Sequence, residues 1–138
     1  MIWLMVNVVC GILILNDTIL IAKRKLDSNN GGEWEFPGGK VNDNENINTA
    51  IIREFKEELD IDIQPYHQLR TISNDDIEFT PFIVKLVGGK ARLIVHDEVR
   101  FVGKDEFLSM NLTSFTKESG KILFDSYTIF LKKEIENT

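Results

Sequence analysis

The sequence predicts an α/β chain of the α+β kind, a mixed β-sheet held between helices. Three observations lead there. Short Val- and Ile-rich runs, bounded by Asn, Asp and Gly, recur along the chain as strands do. One central stretch ending near Leu59 and one terminal stretch from Thr116 to Lys133 carry helical spacing instead. No repeat, low-complexity tract or linker divides the 138 residues, so 1–138 reads as a single domain. Such a chain buries about two-thirds of its unfolded surface.

Ile2 to Leu15 is apolar enough to raise the question of a signal peptide or membrane segment. It lacks a basic start, carries Asn7 and stops at Asn16-Asp17, short of the ~20 residues a bilayer requires. Its Val and Ile content points to a buried strand. Asn16-Asp17 is then a hairpin turn into a second strand, Thr18 to Lys25. Leu26 to Glu33, rich in Asn, Gly and Ser, is a loop, and Trp34 to Phe36 is a short strand leading into Pro37-Gly38-Gly39. Asn46 is placed to N-cap the central helix, whose apolar side starts at Ile47 and Ala50. Ile61 and Ile63 open the next extended segment. Gln68 to Ser73 and Ile77 to Val87 read as strands across an Asn74-Asp75-Asp76 turn. Gly88-Gly89 turns into a strand from Lys90 to Val95, and Val99 to Val102 is another. Ile122, Tyr127, Phe130 and Leu131 carry the helical spacing of the tail.

The net charge of −6 argues against a nucleic-acid-binding surface, which would be basic. It leaves room for an anionic nucleotide, because bound divalent ions invert the local field. The single Cys10 lies in an apolar run, where a buried, inert thiol is expected, and it can form no intrachain disulfide. Nothing here calls for an oxidising compartment, and a cytoplasmic location is expected.

The chemistry is concentrated in Arg53-Glu54-Phe55-Lys56-Glu57-Glu58-Leu59. Glu54, Glu57 and Glu58 fall at i, i+3 and i+4 and share one helix face, fanned over roughly 100°. Ile51, Ile52, Phe55 and Leu59 fill the neighbouring stripe and pack a core. The charge is badly placed for stability. Glu54 and Glu58 repel at i, i+4 by a few tenths of a kcal/mol. Glu57 and Glu58 sit in the last turn, where the macrodipole disfavours anions. Local rules broken without a local gain mark functional sites. A hard cation such as Mg²⁺ would relieve the repulsion. By themselves the seven residues read equally as a solvated Glu-rich helix, with Lys56 as a partner and Arg53 paired to Glu57.

The upstream sequence tips that balance. Trp34-Glu35-Phe36-Pro37-Gly38-Gly39-Lys40 precedes the helix, and its paired glycines allow φ > 0 and close backbone approach to a ligand. Gly39, Glu45 and Arg53-Glu54-Phe55-Lys56-Glu57-Glu58 stand at the spacing of the Nudix box, over 23 positions from Gly39 to Ile61. The chain therefore resembles the Nudix hydrolase superfamily, and its Trp34-to-Lys40 segment looks most like the MutT-like branch. The pattern departs at Asp60, where the family usually has Gly. That position is a left-handed C-cap, which Asp tolerates better than most non-Gly residues. Phe55 is an aromatic where an aliphatic side chain is more common.

The resemblance implies an α/β/α sandwich and water attack on a phosphorus of a nucleoside di- or triphosphate, with Mg²⁺ or Mn²⁺ as cofactor. That is a MutT-like pyrophosphohydrolase releasing a nucleoside monophosphate and pyrophosphate, suited to sanitising a nucleotide pool. It implies Glu54, Glu57 and Glu58 as metal ligands, Glu57 or Glu54 as base, Arg53 as the residue that orients a carboxylate, a backbone carbonyl of Gly38 on the metal, and Glu45 as a brace for the loop. A further carboxylate often comes from outside the box. Glu98 is the first choice and Asp97 the second, against a plain polar turn at His96-Asp97-Glu98 in which His96 is exposed. His67 has no assigned role.

For the substrate, Arg24 and Phe36 fall where MutT-like proteins line the nucleotide site. Gly38, Gly39 and Lys40 bring backbone to it. The Asn that such proteins place before the terminal helix is missing from Thr113-Ser114-Phe115-Thr116-Lys117-Glu118-Ser119, where Thr116 or Glu118 offers hydrogen bonds instead. Two other classes stay open at this level. One is a hydrolase of nucleotide sugars or other non-nucleotide diphosphates. The other is a non-catalytic nucleotide-binding domain, which the intact Glu54, Glu57 and Glu58 disfavour.

Overall fold

The computed structural model describes residues 5–136, with side chains described up to residue 126. Strand β1 (Val6–Leu15) organises the molecule. It turns through Asn16 and Asp17, both left-handed at φ 48° and 64°, into β2 (Thr18–Arg24). Two consecutive left-handed residues are what a type I′ hairpin requires, and Asn and Asp tolerate them best. β3 (Trp34–Glu35) and β4 (Gly38–Lys40) follow the loop, then helix α1 (Ile47–Leu59). Next come β5 (Asp62–Gln68), β6 (Ile72–Ser73), β7 (Ile77–Gly88) and β8 (His96–Val102). Helices α2 (Lys104–Ser109) and α3 (Ser114–Glu136) complete the described chain.

The sheet is mixed, with the path β3-β2-β1-β7-β5. β1 runs parallel to β7 from Val6↔Ile77 to Leu13↔Val84. Its other edge forks: Val8 to Cys10 pair with β4, and Ile14 and Leu15 pair with β2. The fork leaves room for a site between β4 and β2. β8 is antiparallel to β2, and β6 to β7.

Alternation along the strands feeds two cores. Val9, Leu13, Leu20, Phe82 and Val84 meet Ala50, Ile51, Phe55 and Leu59 of α1. Ile12, Ile19, Ile21, Phe36, Phe79 and Ile83 face the opposite way and meet Phe107 of α2 with Ile122, Leu123 and Phe124 of α3. The sheet is thus covered on both faces, the expected sandwich. Phe55 needs a gap, and Gly11 supplies it: a Cβ on Gly11 would stand 2.3 Å from the Phe55 ring. Such an anchor matters, since Phe→Ala at a fully buried site costs about 3–5 kcal/mol.

Several boundaries differ from expectation. Residues 89–95 form no strand, and Leu93, Ile94 and Val95 are exposed. The β2 ladder is filled instead by 96–102, so the strand expected from Val99 begins at His96. Helix α2, six residues long, is too short to leave a periodic signal. Ile52, expected on the apolar stripe of α1, is exposed. Tyr127, Phe130 and Leu131 lie outside the described side chains, as do residues 2–4 of the first apolar run.

Candidate active site

Helix α1 is fixed at both ends. The Asn46 side chain accepts a hydrogen bond from the Asn48 N–H at 2.8 Å, capping the start. Asp60 ends it in the left-handed conformation, φ 56° and ψ 38°, with its N–H on Lys56 O. Ile51, Phe55 and Glu58 follow each other at i, i+4 and i+7, so Glu58 continues the core stripe and is buried. The three carboxylates therefore differ in depth: side-chain exposure is 11% for Glu58, 12% for Glu54 and 58% for Glu57.

Burial, followed by the Glu54 and Glu35 charges, pushes the Glu58 carboxyl up to about 9, although it accepts a hydrogen bond from the Gly38 N–H at 3.2 Å. Burial raises Glu54 as well, against the pull of Arg53. In both, burial outweighs the groups that favour the charged form.

Arg53 locks the arrangement. Nε and Nη2 clasp Glu45 at 2.8 and 2.9 Å. Nη1 reaches Glu54 at 3.0 Å and Glu57 at 3.1 Å, and Nη2 reaches the Lys40 carbonyl at 3.0 Å. All five guanidinium donors are engaged, so none remains for a substrate. Glu45, which also accepts from the Asn42 N–H, is held down near 2, first by Arg53.

Gly38 and Gly39 do not have positive φ; among the described residues Gly32 and Gly89 are the glycines that do. Their smallness serves contact instead. β4 lies so close to β1 that a Cβ on Gly38 would stand 2.0 Å from the Val9 carbonyl oxygen. A Cβ on Gly39 would stand 2.6 Å from Glu54 Oε1. The expected close approach is present, but it is made to strand β1 and to Glu54.

A cavity of about 600 Å³ opens at the fork of the sheet. It brings together Arg24, Phe36, Gly38, Gly39 and Lys40 with Glu58. Arg24 is braced by Glu35 at 2.9 Å and the Asn29 carbonyl at 2.7 Å. Phe36 is buried, stacked on Phe107 with centroids 5.4 Å apart. Sequence reasoning missed Phe79 and Phe115, stacked at 4.5 Å and 6° on the cavity wall, together with Glu35. Thr113 and Thr116 also line the cavity, and Thr116 Oγ1 accepts from the Phe36 N–H and from the Thr113 hydroxyl.

Two expected residues lie elsewhere. Glu118 borders a separate depression with Arg70, Lys121 and Asp125. It is two positions past the inward Thr116, or about 200° round the helix. Glu98 pairs with Arg100 and stands opposite Lys23. His96, expected as an exposed turn residue, is a buried strand residue within reach of Glu35 and Glu58. A β-bulge is responsible. Lys23 pairs with Glu98, but Arg24 pairs with His96, so Asp97 is the extra residue. In an unbroken ladder Asp97 would face Arg24; the bulge turns His96 there instead.

The donor set of Glu54, Glu57 and Glu58 is all oxygen, which fits a hard divalent cation.

A model of the NUDIX domain family matches residues 5–124, and the chain belongs to that family. An 8-oxo-dGTP diphosphatase of Proteus vulgaris is 45% identical over 60 residues, 44% of this chain and 54% of that protein. A CTP pyrophosphohydrolase of Escherichia coli is 43% identical over 58 residues, 42% of this chain and 43% of that protein. The chain spans about half the length of the curated relatives it matches. The solution structure of the E. coli ORF135 protein superposes with a TM-score of 0.75 at 24% identity, over 89% of this chain and 91% of that one, a likeness of fold.

Proposed function

We propose that this chain is a MutT-like pyrophosphohydrolase. Water attacks a phosphorus of a nucleoside triphosphate, the P–O bond of the anhydride breaks, and a nucleoside monophosphate and pyrophosphate leave. One observation carries this reading: Glu58, the buried end of the α1 carboxylate cluster, lines a cavity that also holds a braced cation, Arg24, and a stacked ring pair. The names of the relatives, an 8-oxo-dGTP diphosphatase and a CTP pyrophosphohydrolase, support the same class.

Glu54, Glu57 and Glu58, with the Gly38 carbonyl, would hold Mg²⁺ or Mn²⁺. When bound, such an ion neutralises phosphate charge and acidifies water. Glu57 or Glu54 takes the water's proton. Arg53 does not touch substrate; it keeps both carboxylates aimed. Arg24 has guanidinium donors beyond those given to Glu35 and Asn29, and these face a phosphate or base. Phe79 and Phe115 give the base an apolar wall, while Thr113 and Thr116 stand where MutT-like proteins have an Asn.

Hydroxyls and rings discriminate less than a fitted amide, because fewer buried polar groups are stranded by the wrong base. Turnover of 8-oxo-dGTP, dGTP, dCTP and dATP with Mg²⁺ tests this, with nucleotide sugars and dinucleotide polyphosphates in the same panel. The expected kcat/KM values for the nucleotides agree within about tenfold, or ~1.4 kcal/mol. A preference for the oxidised base beyond about a hundredfold would overturn the account of the base site. Turnover of the sugars alone would overturn the substrate class.

A further inference from the structure

The cavity floor carries a chain of four side chains: Arg24, Glu35, His96 and Glu58. Glu35 is its hub. One oxygen accepts from Arg24 Nη1 at 2.9 Å, and the other lies 2.9 Å from His96 Nε2. The same His96 nitrogen is 3.7 Å from Glu58 Oε1, too far for a hydrogen bond. Glu58 spends its other oxygen on the Gly38 N–H. Glu58 Oε1 is therefore the next acceptor His96 would find if Glu35 were absent.

We propose that Glu35 is a positioning residue: it takes the His96 N–H and an Arg24 N–H, and so keeps Glu58 Oε1 open to the divalent cation. This rests on the reading that Glu58 holds that cation. The rival arrangement makes His96 itself a ligand, since ligand atoms of Glu35, Glu58 and His96 lie within 4.8 Å of one another. The orphaned nitrogen of the ring decides between them. His96 Nδ1 is buried and has no hydrogen-bond partner among the described residues. A ring bound to metal through Nε2 would carry its proton on Nδ1 and strand a donor there; metal-bound histidines almost always give that proton to an acceptor. With the proton on Nε2 and donated to Glu35, Nδ1 is left only an unused lone pair. The bulge at Asp97 is the backbone feature that presents the ring to Glu35.

Mn²⁺ binding, followed by the electron paramagnetic resonance of the free ion, tests the proposal on the wild type, Glu35→Gln, His96→Leu and the double variant. The two donors approach different Glu35 oxygens and glutamine keeps an acceptor at only one of those places, so Glu35→Gln is expected to weaken Mn²⁺ binding about tenfold, the low end for partners of metal ligands. His96→Leu is expected to bind as the wild type does, and adding it to Glu35→Gln to restore affinity to within about threefold. Loss of affinity in His96→Leu, or no recovery in the double variant, would overturn the proposal and make His96 or Glu35 a ligand. Unchanged affinity in Glu35→Gln would overturn it too. A wild type that binds no Mn²⁺ would instead remove the metal reading beneath it. Imidazole ¹⁵N spectra of the wild type give a check that needs no variant. His96 should keep its proton on Nε2 with and without Mg²⁺, and deprotonation of Nε2 on adding the ion would overturn the assignment.

Discussion

Gly39 lies directly beneath Glu54: a Cβ added to it would stand 2.6 Å from the Glu54 carboxylate. The group it meets is the far end of a flexible side chain. Gly39→Ala is therefore expected to fold, with a small change in melting temperature, while displacing Glu54 and cutting kcat. Gly38→Ala meets the Val9 carbonyl at 2.0 Å and must push the paired strands β1 and β4 apart. It should unfold or lose several degrees of Tm, as overpacking costing about 1–3 kcal/mol does. Thermal melts beside turnover separate the two, and equal destabilisation by both would contradict the geometry.

Glu57→Gln is expected to lower kcat at least about a hundredfold, the scale of a lost general base or ligand. Its side chain is mostly exposed and gives up one i, i+4 pair with Arg53, so Tm should move by only about 2 °C or less. EDTA should silence the wild type, Mg²⁺ or Mn²⁺ should restore it, and metal should raise Tm by binding the folded state. Wild-type turnover in the variant, or full activity in chelator, would remove α1 from the mechanism.

The metal-free protein should lose stability as pH rises. Glu58 titrates near 9 when folded, against an ordinary value of 4.5. Between those limits the folded state holds a proton that the unfolded chain has released. Stability from this group is full below pH 4.5, declines above it and levels off past about 9. Urea melts in chelator at pH 5, 7 and 9 should show a decline that is shallower in Glu58→Gln. Saturating Mg²⁺ should reverse the trend, because it binds the deprotonated form. Parallel slopes for wild type and variant would show that Glu58 is not the group held up.

Asp60→Gly, which the sequence alone marks as stabilising, should be close to neutral. Glycine relieves the left-handed backbone. It also deletes the ion pairs of Asp60 with Lys56 at 3.3 Å and Arg92 at 3.4 Å. Asp60→Ala loses the partners and keeps the strain, so its Tm should fall below that of both. Activity should hold in each, since Asp60 lies beyond the carboxylates. If the alanine variant melts with the glycine variant, the cap is not under strain.

What could be read from the chain was local. Asn46, the carboxylate spacing of Glu54, Glu57 and Glu58, the hairpin at Asn16-Asp17 and the left-handed Asp60 depend on neighbours a few residues away, whose geometry the helix and turn dictate. The fork of β1, which opens the cavity, depends on which strands meet there, and no local spacing encodes that. Glu35 and His96 are 61 residues apart and meet because one bulge shifts the β2–β8 register by a single residue. A one-residue shift exchanges the faces of a strand. That is why His96 turns inward where Asp97 or Glu98 was expected. Sequence by itself determined the carboxylate helix and its caps; tertiary pairing decided which side chains complete the site around it.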